Sequence, residues 1–193
     1  MKHPSNRELF EYWNERRGER LAPERAEIEP SAIRHVLGDT FVLEVTGAGN
    51  HLFRIAGTRL CALFGRELKT ESFLPLWQRS AQAAMRELIA VVMEEKVGIV
   101  ASCTGATSDD TLAPVQLEMV LLPLASASRS DARVIGAMAP MSVPYWLGAK
   151  TVGALTLGMF RHIGAAVETP APRFKAAAGR LRHGLTVYDG GRG

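Results

Sequence analysis

RIAGTRLCALFGRELKTESFLPLW, residues 54–77, reads as the end of a strand, a break at Gly57-Thr58, and a short apolar helix from Arg59 to Phe64. Gly65 stops that helix, because a residue without a Cβ enters the left-handed region at little cost. A charged turn (Arg66, Glu67, Lys69) then leads into a second short helical piece around Phe73 to Trp77. Two short helices laid from the end of one strand across a sheet predict a small α+β domain with a concave, helix-covered face.

Upstream, Ser5 to Glu19 is predicted as a helix, with Ser5 and Glu8 at capping-box spacing and Gly18 at its end. Its stripe of Leu9, Phe10, Tyr12 and Trp13 must be buried, against its own sheet or a second copy of the protein. A charged connection follows, then a short helix over Ser31 to Leu37 closed by Gly38-Asp39. Thr40 to Val45 and His51 to Ala56 read as two strands of a hairpin turning at Gly47-Ala48-Gly49-Asn50.

Downstream, Ser80 to Glu95 is predicted as the long helix. Ala81, Ala84, Met85, Leu88, Ile89, Val92 and Met93 recur on one face. Val97 to Thr104, Val115 to Leu122 and Arg133 to Met141 are the remaining expected strands, with Pro123 closing the second. The expected fold is therefore α+β: a five-stranded antiparallel sheet with short helices and one longer helix on one face, plus N-terminal helices and a C-terminal extension. The expected divisions are a helical lead-in at 1–39, a core at 40–141, and an extension at 142–193 with a basic, partly disordered tail carrying Arg173, Lys175, Arg180 and Arg182.

A chain of 193 residues with 47% apolar and 22% charged residues suits one folded domain with extensions. The net charge of +3 is too small for the dense basic face of a nucleic-acid binder. Val134 to Phe160 carries only Lys150 as a charge, yet its prolines and glycines argue against an integral membrane helix. The charged start and just two cysteines, Cys61 and Cys103, predict a cytoplasmic protein with reduced, buried thiols.

The element order, two strands, short helices, one long helix and three strands, is that of a PAS domain. The stretches Leu9–Gly18, Ala22–Glu44, Phe53–Leu68, Phe73–Trp77 and Leu121–Leu124 resemble the single-domain PAS family found mainly in alphaproteobacteria, formerly catalogued as a domain of unknown function. The resemblance runs from about Glu8 to Leu157, and AGT-x-L-C-x-x-FG (56–65) is its most specific part. Glu27 and Glu29 replace expected aspartates, and Thr70 an expected glycine. The resemblance implies a sensory or protein-interaction module with no catalytic residues to transfer.

The residues themselves agree with a non-enzyme. They contain no nucleophile elbow, P-loop or G-x-G-x-x-G. His3, His35, His51, His162 and His183 are scattered without metal-ligand spacing. The long helix lacks the axial histidine a haem PAS domain is expected to carry, and Cys61 lies outside a photoactive flavin motif, so neither cofactor is expected. Asp109-Asp110 reads as a solvated turn, and Arg54 and Glu67 as a pair holding the short helices to the sheet.

The expected function is thus a PAS-type regulatory module acting through a signalling protein partner, itself included as a homodimer, with or without a small ligand. Phe53, Ile55, Cys61, Phe64, Phe73, Trp77 and Met119 are the candidate ligand-lining residues, and Phe10, Tyr12 and Trp13 the candidate dimer surface. The alternative is a regulator associated with DNA or a membrane surface through the basic tail.

Overall fold

Unbroken apolar runs, not alternation, set the architecture. The computed structural model describes residues 1–45, 51–107, 112–126, 132–164, 180–182 and 185–187. The elements are α1 (Pro4–Arg17), β1 (Thr40–Val45), β2 (His51–Ala56), α2 (Thr58–Phe64), α3 (Arg79–Glu95), β3 (Gly98–Thr107), β4 (Val115–Leu124), β5 (Arg133–Pro140) and β6 (Val152–Ile163). Short 3-10 turns occur at Arg25–Glu27, Pro30–Ile33 and Leu74–Leu76. A separate two-stranded ladder pairs β7 (Arg180–Arg182) with β8 (Leu185–Val187). The rest of the expected basic tail, the Gly47–Asn50 turn and Asp109-Asp110 lie outside the described residues.

The main sheet is antiparallel in the order β2-β1-β5-β4-β3-β6. It has six strands, not the expected five. β6 falls in what was expected to be the extension, and pairs with β3 from Gly98 to Thr107. Its sequence hides it: β6 is an edge strand that exposes most of its side chains, contains Gly153 and Gly158, and is broken by two register shifts against β3. Edge strands with bulges and glycines lack the alternation that marks a half-buried strand.

β4 is buried at every position except Gln116, and β5 everywhere but its two ends. Strands so thoroughly buried have cover on both faces, and the helices supply it from two sides. α2, α3 and the Leu74–Leu76 turn cover an inner face with Phe41, Leu43, Phe53, Ile99, Met119 and Leu121. The lead-in residues Leu9, Tyr12, Trp13, Ile33 and Val36 cover the opposite face with Val42, Val120, Leu122 and Ile135. The α3 face holds as expected, with Met85, Leu88, Ile89 and Val92 buried. β4 runs through Pro123 to Leu124; its register with β3 ends at Leu121, so the missing N–H of Pro123 falls where β4 has a single neighbour.

Two local details differ from the sequence reading. Ser5 does not form a capping box with Glu8: the His3 imidazole Nδ1 caps α1 by accepting from the Ser5 N–H at 3.2 Å. The Ser5 hydroxyl instead reaches out of the helix to Asp39. The segment after Pro30 forms a 3-10 turn, Pro30–Ile33, in place of the expected helix to Leu37.

Candidate functional site

The expected ligand-lining residues divide between the two faces. Phe53, Phe73, Trp77 and Met119 are fully buried on the inner face, and Phe64 is nearly so. Phe53, Phe73 and Phe41 form a triangle with ring centroids 5.6–5.8 Å apart, and Trp77 sits edge-on to Phe73 at 5.7 Å. Such offset and edge-to-face contacts make these rings packing partners of one another. The Trp77 indole Nε1–H is buried yet finds no acceptor among the described residues, which leaves one spare donor in an apolar environment.

Ile55 does not belong to this group. A strict two-residue period would put it beside Phe53, but β2 contains a bulge: Val42 pairs with Ile55, and Leu43 with Phe53. The extra residue turns Ile55 onto the outer face with Val42, where it is 44% exposed. Cys61 is half-buried, not buried, and its thiol donates to Glu67 Oε1 at 3.6 Å. Desolvation raises its pKa, while burial pushes the Cys103 thiol up to about 12. Both sulfurs are thus held as thiols, the weakly nucleophilic form.

The Arg54–Glu67 pair is replaced by two other arrangements. Arg54 pairs with Glu44 on neighbouring β1 at 3.0 Å. Glu67 accepts the backbone N–H of Lys69 at 2.9 Å and so closes its own turn. No group of three His, Cys, Asp or Glu side chains suited to a metal ion occurs among the described residues. No helix among them is long and apolar enough to cross a membrane.

The expected dimer surface is mostly interior. Trp13 is 1% exposed and donates its indole N–H to the Pro123 carbonyl at 2.8 Å. Tyr12 is also buried; its hydroxyl donates to the Glu27 carbonyl and accepts the Glu29 N–H. The aromatic stripe is satisfied by the protein's own sheet, the first of the two burial routes its composition allowed. Only Phe10, stacked on Trp13 at 6.1 Å, keeps part of its surface.

Polar contacts that the sequence reading missed hold this outer cover in place. Glu118, buried on β4, accepts the N–H groups of Lys2 at 2.7 Å and His3 at 3.0 Å, and the Asn6 side-chain amide at 3.1 Å. Burial raises its pKa, but those donors together outweigh burial and leave it below the usual carboxylate value. Asp39 ties the two covers together. Its carboxylate accepts the Ser5 hydroxyl of α1 at 2.6 Å and, at 2.8 Å on each oxygen, Nε and Nη2 of Arg59 on α2. Arg59 also donates to the His35 carbonyl at 3.0 Å. One buried carboxylate therefore joins the outer helix to the first helix of the inner face.

The AGT motif builds this junction. The Gly57 N–H donates to the Thr40 carbonyl at 2.8 Å, and the Leu60 N–H to that of Gly38 at 3.0 Å. A side chain at Gly57 would run into the backbone oxygens of Leu37 and Gly38. Only glycine lets α2 start close enough to the Gly38-Asp39 turn for Arg59 to reach Asp39. Gly65, at φ 66°, ends α2 as expected. Thr70, standing where the resemblance expects glycine, holds a left-handed φ of 69°, so the position does need the conformation glycine supplies.

A family model described as a PAS domain matches residues 1–139, from the start of α1 almost to the end of β5; β6 lies beyond it. No curated protein matches the chain. The match takes in the lead-in as well as the strand–helix core, and with the antiparallel sheet and its helix-covered face it establishes that this chain belongs to the PAS domain family.

Proposed function

We propose that the protein is a non-catalytic PAS-type sensory module that works through a protein partner, and that a change on its inner face is passed to its outer cover through Asp39. The observation that carries this reading is the Ser5–Asp39–Arg59 junction. Information can pass between two faces only through an element whose arrangement both faces bias. Asp39 is 4% exposed and touches both covers at once. A shift of α2 that withdrew Arg59 would leave a buried carboxylate without its cation, and the carboxylate regains water only if the Gly38-Asp39 turn moves, which disturbs the Ser5 contact and the start of α1.

A small ligand fits the same scheme as the trigger. It would lie between sheet and short helices, beside the unpartnered indole N–H of Trp77, and offer that donor a carbonyl or carboxylate oxygen. Tyr12 and Trp13 would become a partner surface only when α1 lifts, and a homodimer of the closed form would use another face. A cytoplasmic location accords with the free cysteines.

The test is cross-linking with mass spectrometry in cells producing the full chain, as wild type and as Arg59→Gln. A specific partner whose recovery changes with R59Q supports the reading. A partner recovered equally by both refutes the Asp39 route, and recovery of none refutes the interaction module. Native mass spectrometry of the purified protein decides the ligand: an added mass lost on denaturation is expected if one is bound.

A further inference from the structure

We infer that the outer face carries an anion site of the phosphate class, in a groove of about 360 Å³ alongside β2. Arg25 from the first 3-10 turn, Arg54 from β2, Lys69 from the turn after α2 and Arg133 from the start of β5 all line it. These four cations come from four separate elements, and the chain between them is folded so that they face one space. The β2 bulge contributes directly, because it turns Ile55 outward to form the groove's floor with Val42.

The charges are largely unspent. Among the described residues, Arg54 alone of the four is neutralised, by Glu44 at 3.0 Å. Among the described residues, Arg25 makes one long contact, 3.5 Å, to the Ile28 carbonyl. No carboxylate among the described residues lies within ion-pair distance of Lys69 or Arg133. Arg133 is partly buried, and its Nε is a fully buried donor with no acceptor among the described residues. Because Nε is closed off from solvent, a phosphate in the groove would be met by the terminal Nη nitrogens of the guanidinium, which form the outer edge of its donor fork. The cationic rim above an apolar floor favours a phosphate carrying an organic group over a bare inorganic anion. The groove borders the aromatic cluster at Phe53, but its four cations and the Val42–Ile55 floor are distinct from the buried ring surfaces around Trp77.

The experiment is titration of the full chain at low ionic strength with inorganic pyrophosphate and, separately, with a short phosphoserine peptide, followed by calorimetry. Binding of either probe is expected, weakening as salt is raised. Arg133→Gln and Lys69→Gln should each weaken it about tenfold, the loss of one charge-assisted contact. Arg79→Gln, on α3 away from the groove, should not change it. Lys69 is exposed on its turn, so K69Q remains informative if R133Q fails to fold. Pyrophosphate binding points to a free small molecule, and peptide binding alone to a phosphorylated partner. Binding of neither, or binding that survives both R133Q and K69Q, overturns the assignment.

Discussion

Coupling through Asp39 can be measured without knowing any ligand. Ser5 and Arg59 both bond to Asp39 yet lie on different faces of the sheet, one on α1 and one on α2. Asp39→Asn keeps the side chain's size but removes the charge and turns one of its two accepting oxygens into an N–H donor, so at least one of the three hydrogen bonds of 2.6–2.8 Å is lost and the rest become neutral. The Arg59 side chain is 55% exposed, so water recovers much of what it loses, and that share is small. The Ser5 share is larger, because its hydroxyl is buried and its acceptor becomes neutral. Together these amount to about 1–2 kcal/mol, a fall in Tm of roughly 3–6 °C for a chain of this size. Urea denaturation followed by tryptophan fluorescence would read it. The sharper assay is a double-mutant cycle of Ser5→Ala with Arg59→Gln. If Asp39 couples the faces, the two changes should depart from additivity by about 0.5 kcal/mol or more, although the residues do not touch. Additivity within about 0.3 kcal/mol would refute the junction as a mechanical link.

The other expectations are simpler. Glu118→Gln should cost about 1–2 kcal/mol near neutral pH, by replacing a charged acceptor with a neutral one. Because the folded carboxylate titrates below its unfolded value, its contribution is present above the unfolded pKa and lost as pH falls through the folded one; the gap between wild type and E118Q should therefore close in acid, and a gap constant with pH would contradict this. Thr70→Gly should stabilise by about 0.5–1 kcal/mol, since glycine relieves a left-handed φ of 69° at some cost in unfolded-state entropy; a loss of stability by thermal melt would show that the threonine side chain matters more. Gly57→Ala should destabilise by about 3 kcal/mol or more, because its Cβ meets immovable backbone oxygens, and a soluble, fully stable variant would contradict that. Thiol labelling of the native protein should modify Cys61 slowly and leave Cys103 untouched until denaturant is added.

Local signals were legible wherever physics is local. Gly65 announced the end of α2 because a left-handed stop depends on one residue, and Met85, Leu88, Ile89 and Val92 announced the buried face of α3 because helical period is a property of a short window. Leu9, Tyr12 and Trp13 showed that α1 must be covered, but composition alone left open whether by its own sheet or a second copy. The tertiary structure decided that, through the Trp13 bond to Pro123, a partner 110 positions away. It also decided the face on which Ile55 lies, because a bulge is set by how two strands pair and leaves no mark on one strand's alternation. β6 was missed for a related reason: an exposed edge strand takes its identity from its neighbour's free hydrogen-bonding groups. Asp39 reads as an ordinary turn residue and nothing local singles out Glu118, since their partners are 20 to 116 residues distant. What the sequence determined by itself was the family, the element order and the buried helical faces, all carried by neighbouring residues. What only the tertiary structure decided was the junction between the two covers and the cationic groove, because each is made of side chains that meet only when remote segments have folded together.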